Sequence, residues 1–234
     1  MKSGGRGSFA DDLRLGVPGA DFQTVFDVGA NVGQTADLFS KAFPNAHIWS
    51  FEPAREAFRL LETRHGSSPR VSCVNSALGA TEIPNGLLMS DYMESTCNQV
   101  VSAEASDTPL QRVAVTTGDR YCADNGIVHI DFLKIDTEGY DLEVIKGFEG
   151  LIGDNKIDFI QVEVGMNPNN NRHVNIKEFL YYMEPRKFYM FGVYDQWREK
   201  SSNLTMRRAN IVFAGLHISG PRPSKQWRRA SAVG

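Results

Sequence analysis

The sequence is poor in cysteine: Cys73, Cys97 and Cys122 are the three among 234 residues. Thiols at those spacings build neither a disulfide framework nor a zinc pattern. They read as reduced thiols of a cytoplasmic protein. Long hydrophobic runs are also missing. No stretch approaches the roughly 20 apolar residues of a membrane-spanning helix, and the opening MKSGGRGS lacks the apolar segment of a secretory signal. Nor does one sign of charge dominate. Twenty-five Lys and Arg against 28 Asp and Glu leave a formal −3, so the chain lacks the electrostatic footprint of a dedicated nucleic-acid binder.

The composition that remains, 41% hydrophobic and 23% charged, is that of a folded domain and not of a disordered chain. The length fits one domain. Residues 1–20 read as a flexible N-terminal segment, 21–219 as the domain and 220–234 as a basic tail. In that tail Arg222, Lys225, Arg228 and Arg229 meet no acid and contribute +4, which leaves −7 on residues 1–219. The tail reads as a disordered extension. Docking over an anionic acceptor or onto a neighbouring copy of the chain, as in a homo-oligomer, is the alternative.

Short apolar runs alternate with helix-length amphipathic segments. Thr24–Val28, His47–Phe51 and Val71–Val74 are strand-like, with helical periodicity over 33–43 and after Pro53. This rhythm predicts an α/β fold with a parallel sheet and right-handed crossovers. Asp131–Ile135 and Ile157–Val164 continue it, with helices at Asp141–Lys146 and Ile176–Met183. Lys187–Val193 and Ala209–Gly215 lie too close for a crossover helix and predict an antiparallel edge pair. Residues 81–110 carry little pattern. With Gln111–Thr117 they predict a hairpin or flap, an insertion over 81–117 beside the site.

Four constellations carry chemistry. Asp27-Val28-Gly29-Ala30-Asn31-Val32-Gly33 closes the first strand and opens a helix. Ligands bind outside the carboxyl ends of such strands, and a helix N-terminus favours a carboxylate or phosphate. The spacing is GxxxG, without the middle glycine of a dinucleotide fingerprint. Glu52, before Pro53 at the end of the second strand, stands where an acid accepts hydrogen bonds from ribose hydroxyls. Asn75-Ser76-Ala77, after the third strand, leaves room for a flat ring. Asp136, Glu138 and Asp141 crowd the end of a buried strand, which is costly unless a cation is bound or a proton held. Capping of the following helix accounts for one of them. Glu163 ends the next strand and points toward the same crevice.

In this order VFDVGANVGQT, SFEP, NSALG, DFLKIDTEGYDLEVIKGFEGL, IQVE and ANIVF resemble the FkbM family of S-adenosylmethionine-dependent methyltransferases, over about residues 25–213. The resemblance implies the class I methyltransferase (Rossmann-like) fold: a seven-stranded, mainly parallel sheet with an antiparallel last strand and helices on both faces. It implies S-adenosylmethionine as cofactor and O-methylation of a small-molecule or glycan hydroxyl. Carried over, Asp27, Gly29, Ala30, Asn31 and Gly33 would line the methionine part. Glu52, with Pro53 beside it, would hold the ribose. Asn75, Ser76 and Ala77 would flank the adenine, and Asp136 would sit near the amino group and sulfonium. An alcohol needs a base as the bond to carbon forms. The candidates are Glu138, Glu163 and His173, the last in the polar loop NPNNNRHVN; Asp136 also qualifies. A Mg²⁺ held by Asp136 and Glu163 is a second way to polarise the hydroxyl. Tyr194 and Trp197 could line the acceptor pocket. An NAD(P)-linked oxidoreductase and a non-catalytic nucleoside-binding module remain as other readings.

Overall fold

The computed structural model of the chain describes residues 9–17, 21–90, 110–168, 170, 172–199 and 205–218. The elements run α1 (Phe9–Gly16), β1 (Thr24–Val28), α2 (Gln34–Ala42), β2 (His47–Phe51), α3 (Arg55–His65), β3 (Val71–Val74), β4 (Ala77–Leu78), β5 (Ile83–Ser90), β6 (Leu110–Thr116) and α4 (Gly118–Asp124). They continue with β7 (Ile130–Ile135), α5 (Asp141–Lys146), α6 (Glu149–Gly153), β8 (Ile157–Gly165), α7 (Ile176–Met183), β9 (Phe188–Arg198) and β10 (Met206–Gly215).

Seven strands form one sheet in the order β3-β2-β1-β7-β8-β10-β9. β1, β2, β3, β7 and β8 pair in parallel, whereas β10 is antiparallel to both β8 and β9. The central runs TVFDV and IDFLKI are apolar because both faces of the sheet are covered. Alternate residues serve opposite cores. Phe26, Val28, Leu133 and Ile135 pack with Cys122, Val144, Ile152 and Phe179 beneath α4, α5, α6 and α7. Val25 and Phe132 face Leu13, Ala36 and Phe39 beneath α1 and α2. The order of strands reverses between β1 and β7, which opens a crevice at their carboxyl ends.

One expectation needs revision. Residues 1–20 are not uniformly a free end. Residues 9–16 form α1, whose Leu13 is fully buried and whose Phe9 packs against Phe39, Phe43, Phe132 and Tyr194. The helical spacing of Phe9, Leu13 and Val17 was too short a signal to stand out. The segment around 81–117 contains a small separate sheet, in which β6 pairs antiparallel with β5 and parallel with β4. Residues 91–109, where a flap would lie, and the basic tail over 220–234 fall outside the described residues. No described helix is long and apolar enough to cross a membrane.

Candidate active site

The turn after β1 is built for close approach. Gly29 sits at φ +80°, and a Cβ there would lie 2.0 Å from the Asp136 carbonyl oxygen. Its amide and that of Ala30 both donate to the Phe51 carbonyl, at 3.0 and 2.9 Å. Gly33, also left-handed, precedes α2, whose first amides no side chain caps. The Asn31 amide turns away and donates to Glu52 Oε2 at 2.8 Å, while the Ala54 amide donates to Oε1 at 2.8 Å. Burial pushes the Glu52 carboxyl up to about 7 against these two hydrogen bonds. Each of its oxygens keeps a lone pair for another donor.

Above this turn lies a cleft of about 330 Å³, within the roughly 300–1,000 Å³ of small-ligand pockets. Gly29, Ala30 and Asn31 line one side, Glu52 and Pro53 the next, and Ser76 and Ala77 the floor beyond. Asp136 and Glu138 close the far side. Five residues expected at the site do not line the cleft. Asp27 is fully buried beneath it, Gly33 packs under His65, and Asn75 braces the strand end by donating to the Glu52 and Pro53 carbonyls. Glu163 and His173 form the layer behind Glu138.

Lys134 is the residue that sequence reasoning passed over. It faces Asp27 across the β1–β7 register, with Nζ 3.1 Å from Asp27 Oδ1, 3.6 Å from Asp136 Oδ2 and 3.3 Å from the Gly29 carbonyl. Burial opposes its charge, but Asp27, Asp136 and Asp141 outweigh burial and hold Lys134 protonated well above the usual range. A lysine facing inward from a central parallel strand needs an acid on a neighbouring strand, and DFLKI shows the lysine but not that partner. Lys134 also supplies the cation that the crowded acids required. None of these acids caps α5, whose N-cap is Tyr140 with no side-chain hydrogen bond; Asp141, its first residue, instead braces the preceding turn, its two oxygens accepting the Thr137 and Gly139 amides, each at 3.1 Å. Burial raises its carboxyl to about 6.

Glu138 takes the left-handed backbone, at φ +54°, a strained state for a residue with a side chain. Its Oε2 accepts from Arg172 Nε at 2.7 Å and lies 3.6 Å from His173 Nε2. Burial, then Asp136 and Glu163, raise Glu138 to about 7 against the pull of His173 and Arg208. His173 is not a surface side chain on a polar loop but is 6% exposed. Its Nδ1 is 3.1 Å from Asn170 Oδ1, an orientation fixed because Asn170 Nδ2 donates to the Arg207 carbonyl. Its Nε2 is 2.7 Å from Glu163 Oε2, close but poorly aligned for a hydrogen bond. Burial would raise Glu163, but His173 and the Arg208 guanidinium outweigh it and keep this carboxyl below its usual range.

The expected Mg²⁺ does not fit these residues. Asp136 already faces Lys134, and Glu163 faces His173 and Arg208. A divalent ion between them would sit beside a guanidinium. Tyr194 and Trp197 are likewise not cleft residues. Tyr194 packs on Phe9, and Trp197 lies under Arg208, whose guanidinium carbon is 5.0 Å from the ring centroid. Arg208 itself lines the cleft.

The strand order, the single antiparallel strand β10 beside the edge strand β9, and the acid-lined crevice define a class I, Rossmann-like methyltransferase fold. A family model for the methyltransferase FkbM domain matches residues 27–190, and the chain belongs to that family. Two curated relatives are each 25% identical. "Methyltransferase sdnD" of Sordaria araneosa aligns over 155 residues, 53% of this chain and 60% of that protein. The hexuronic acid methyltransferase AglP of Haloferax volcanii aligns over 162 residues, 68% of this chain and 64% of that protein. The chain thus spans about six-tenths of the length of both relatives. Among solved structures, TrmK of M. capricolum in complex with S-adenosyl-homocysteine superposes with a TM-score of 0.50 at 7% identity, covering 90% of this chain and 69% of that one.

Proposed function

We propose that this chain is an S-adenosylmethionine-dependent O-methyltransferase acting on a hydroxyl of a sugar, glycan or related natural product. One observation carries the reading: a single cleft is lined at one side by Glu52 and at the other by Glu138, two carboxyls that burial brings to about 7. When bound, the cofactor supplies an activated methyl group on a cationic sulfur. The chain's own residues do the rest. Glu52 holds the ribose hydroxyls, Ser76 and Ala77 leave space for the adenine, and Asp136 faces the positive end. The first turn of α2 faces the carboxylate.

Glu138 is the proton acceptor. A carboxyl near 7 is poised to be ionised yet basic enough to take the hydroxyl proton as oxygen bonds to carbon and carbon parts from sulfur. Arg172 orients it, and His173 with Glu163 backs it. The wall of the acceptor side includes Arg208, steadied by Trp197 and Glu163. A sugar acceptor is supported by the relative named as a hexuronic acid methyltransferase. The test is calorimetric binding of S-adenosylhomocysteine, followed by methyl transfer to a panel of sugars, uronic acids and polyol or polyketide alcohols. Cofactor binding with transfer to oxygen supports the reading. Absence of binding, or transfer only to nitrogen or carbon, overturns it.

A further inference from the structure

At the opposite end of the sheet from the cleft, the amino-terminal ends of β7 and β8 carry a second group of chemistry-bearing side chains. The register that pairs Ile130 with Ile157 and Phe132 with Phe159 sets Asp131 beside Asp158. His129, just before β7, places Nε2 3.2 Å from Asp158 Oδ2 and 3.7 Å from Asp131 Oδ1. The three donor atoms lie within 4.8 Å of one another. We propose that His129, Asp131 and Asp158 bind a divalent transition metal of the zinc type, a site unrelated to methyl transfer.

Spacing and preorganisation both support this. With metal–ligand bonds of about 2.1 Å, the corners of a tetrahedral zinc site stand about 3.4 Å apart, and the two His129 separations bracket that value. Each carboxylate has its outer oxygen occupied and its inner oxygen left for the metal. Asp131 Oδ2 accepts the Gln23 and Thr24 amides at 2.8 and 2.7 Å, which ties the group to the start of β1. Asp158 Oδ1 is 3.0 Å from His217 Nε2, and the His217 ring is held edge-on against buried Phe188, centroids 6.2 Å apart. Ligating carboxylates are oriented by such outer hydrogen bonds. With neutral imidazoles, the state that can ligate, the two carboxylates offer two negative charges to one divalent ion. One imidazole nitrogen and two carboxylate oxygens are ligands that Zn²⁺ accepts, and the side chains are accessible, at 38%, 19% and 24% exposure for His129, Asp131 and Asp158.

The experiment is titration of the full chain with Zn²⁺ by calorimetry and with Co²⁺ by visible absorption, after chelator treatment. The expected result is one equivalent of either ion, with the intense visible bands of a tetrahedral Co²⁺ centre. His129→Ala and Asp158→Asn should each weaken Zn²⁺ binding at least about 100-fold, the upper end of the loss from disturbing an outer partner alone. His217→Ala should weaken it about 10-fold. His173→Ala, in the separate Glu138–Glu163–His173 group, should leave it unchanged. Circular dichroism confirms that each variant is folded, and Asp131→Asn replaces any variant that is not. No Zn²⁺ uptake by the native chain, uptake undiminished in His129→Ala, or uptake lost in His173→Ala would each overturn the proposal.

Discussion

Lys134 and Asp27 stand opposite each other on adjacent parallel strands, both shielded from water, with Nζ 3.1 Å from Oδ1. Their contact joins the centre of the sheet to the cleft, which Lys134 lines. Removing one partner of a buried ion pair leaves the other uncompensated and costs about 3–5 kcal/mol. Lys134→Met and Asp27→Asn should each lower unfolding free energy by that order in urea denaturation. The double variant should lose less than the two single losses added together, since neither charge is then stranded. Strict additivity would show that the pair is not energetically linked. Because Asp27 lies under the cleft and not in it, its loss should act on stability first and on ligand affinity second.

Glu52 gives the cleft a pH dependence of known sign. Its carboxyl is raised to about 7 in the folded chain, while hydroxyl donors favour the ionised form. Ligand binding therefore releases a proton, and affinity for S-adenosylhomocysteine should rise as pH increases through about 7. Glu138, also near 7, and Asp141, near 6, titrate in the same window, so the comparison with Glu52→Gln isolates this group. That variant should bind more weakly by about 1–3 kcal/mol and should lose most of the slope. A slope preserved in Glu52→Gln would assign the proton elsewhere.

The same raised carboxyls act on the folded state alone. An acid whose pKa is higher folded than unfolded retains a proton that the unfolded chain has lost. Between roughly 4.5, the ordinary value, and 7, ionisation of Glu52 therefore costs the ligand-free protein stability as pH rises. Thermal unfolding from pH 5 to pH 8 should fall less steeply in Glu52→Gln than in the native chain. Identical profiles would place the carboxyl at an ordinary value.

Glu138→Gln should leave S-adenosylhomocysteine affinity nearly unchanged and reduce turnover by about 10²–10⁴-fold, the usual worth of a general base. In the native chain the rate should climb with pH to a plateau above about 7, where Glu138 is ionised. Glu163→Gln removes a partner of Arg208 and His173, so it should move the midpoint of that climb. A rate profile unchanged in Glu163→Gln would separate this residue from the proton acceptor.

Gly29→Ala places a side chain in left-handed backbone, which costs about 1–3 kcal/mol in strain. It also drives a Cβ to 2.0 Å from the Asp136 carbonyl oxygen. The expected outcome is a lowered melting temperature together with weakened cofactor binding, because the turn and the Asp136 strand end must part. Native melting and native affinity in that variant would contradict the packing described here.

How far the sequence could be read depended on range. β1, β2, β3, α5 and α7 occupy the residues that periodicity marked, because strand alternation and helix periodicity are local signals. The antiparallel edge pair was legible from connection length alone. Lys134 was not, because its partner Asp27 lies more than a hundred positions away and only the register of β1 against β7 brings them together. The burial of His173 was hidden for a related reason. Its loop is polar, but Asn170 of that loop turns back onto its Nδ1, and Glu163 and Arg208 stand behind it on β8 and β10, strands the loop sequence does not mention. Glu138 was marked as an acid at the site, yet its left-handed backbone left no trace in composition.

That backbone has one more implication. Glu138 is held in place by Arg172, and a Cβ on the neighbouring Gly139 would lie 2.7 Å from the Arg172 carbonyl oxygen. The proposed proton acceptor therefore rests on the loop that follows β8. A descendant chain that lengthened or rewrote this loop to admit a new acceptor would also retune its own base. Divergence in acceptor choice and divergence in optimum pH should then appear together among natural variants of this domain.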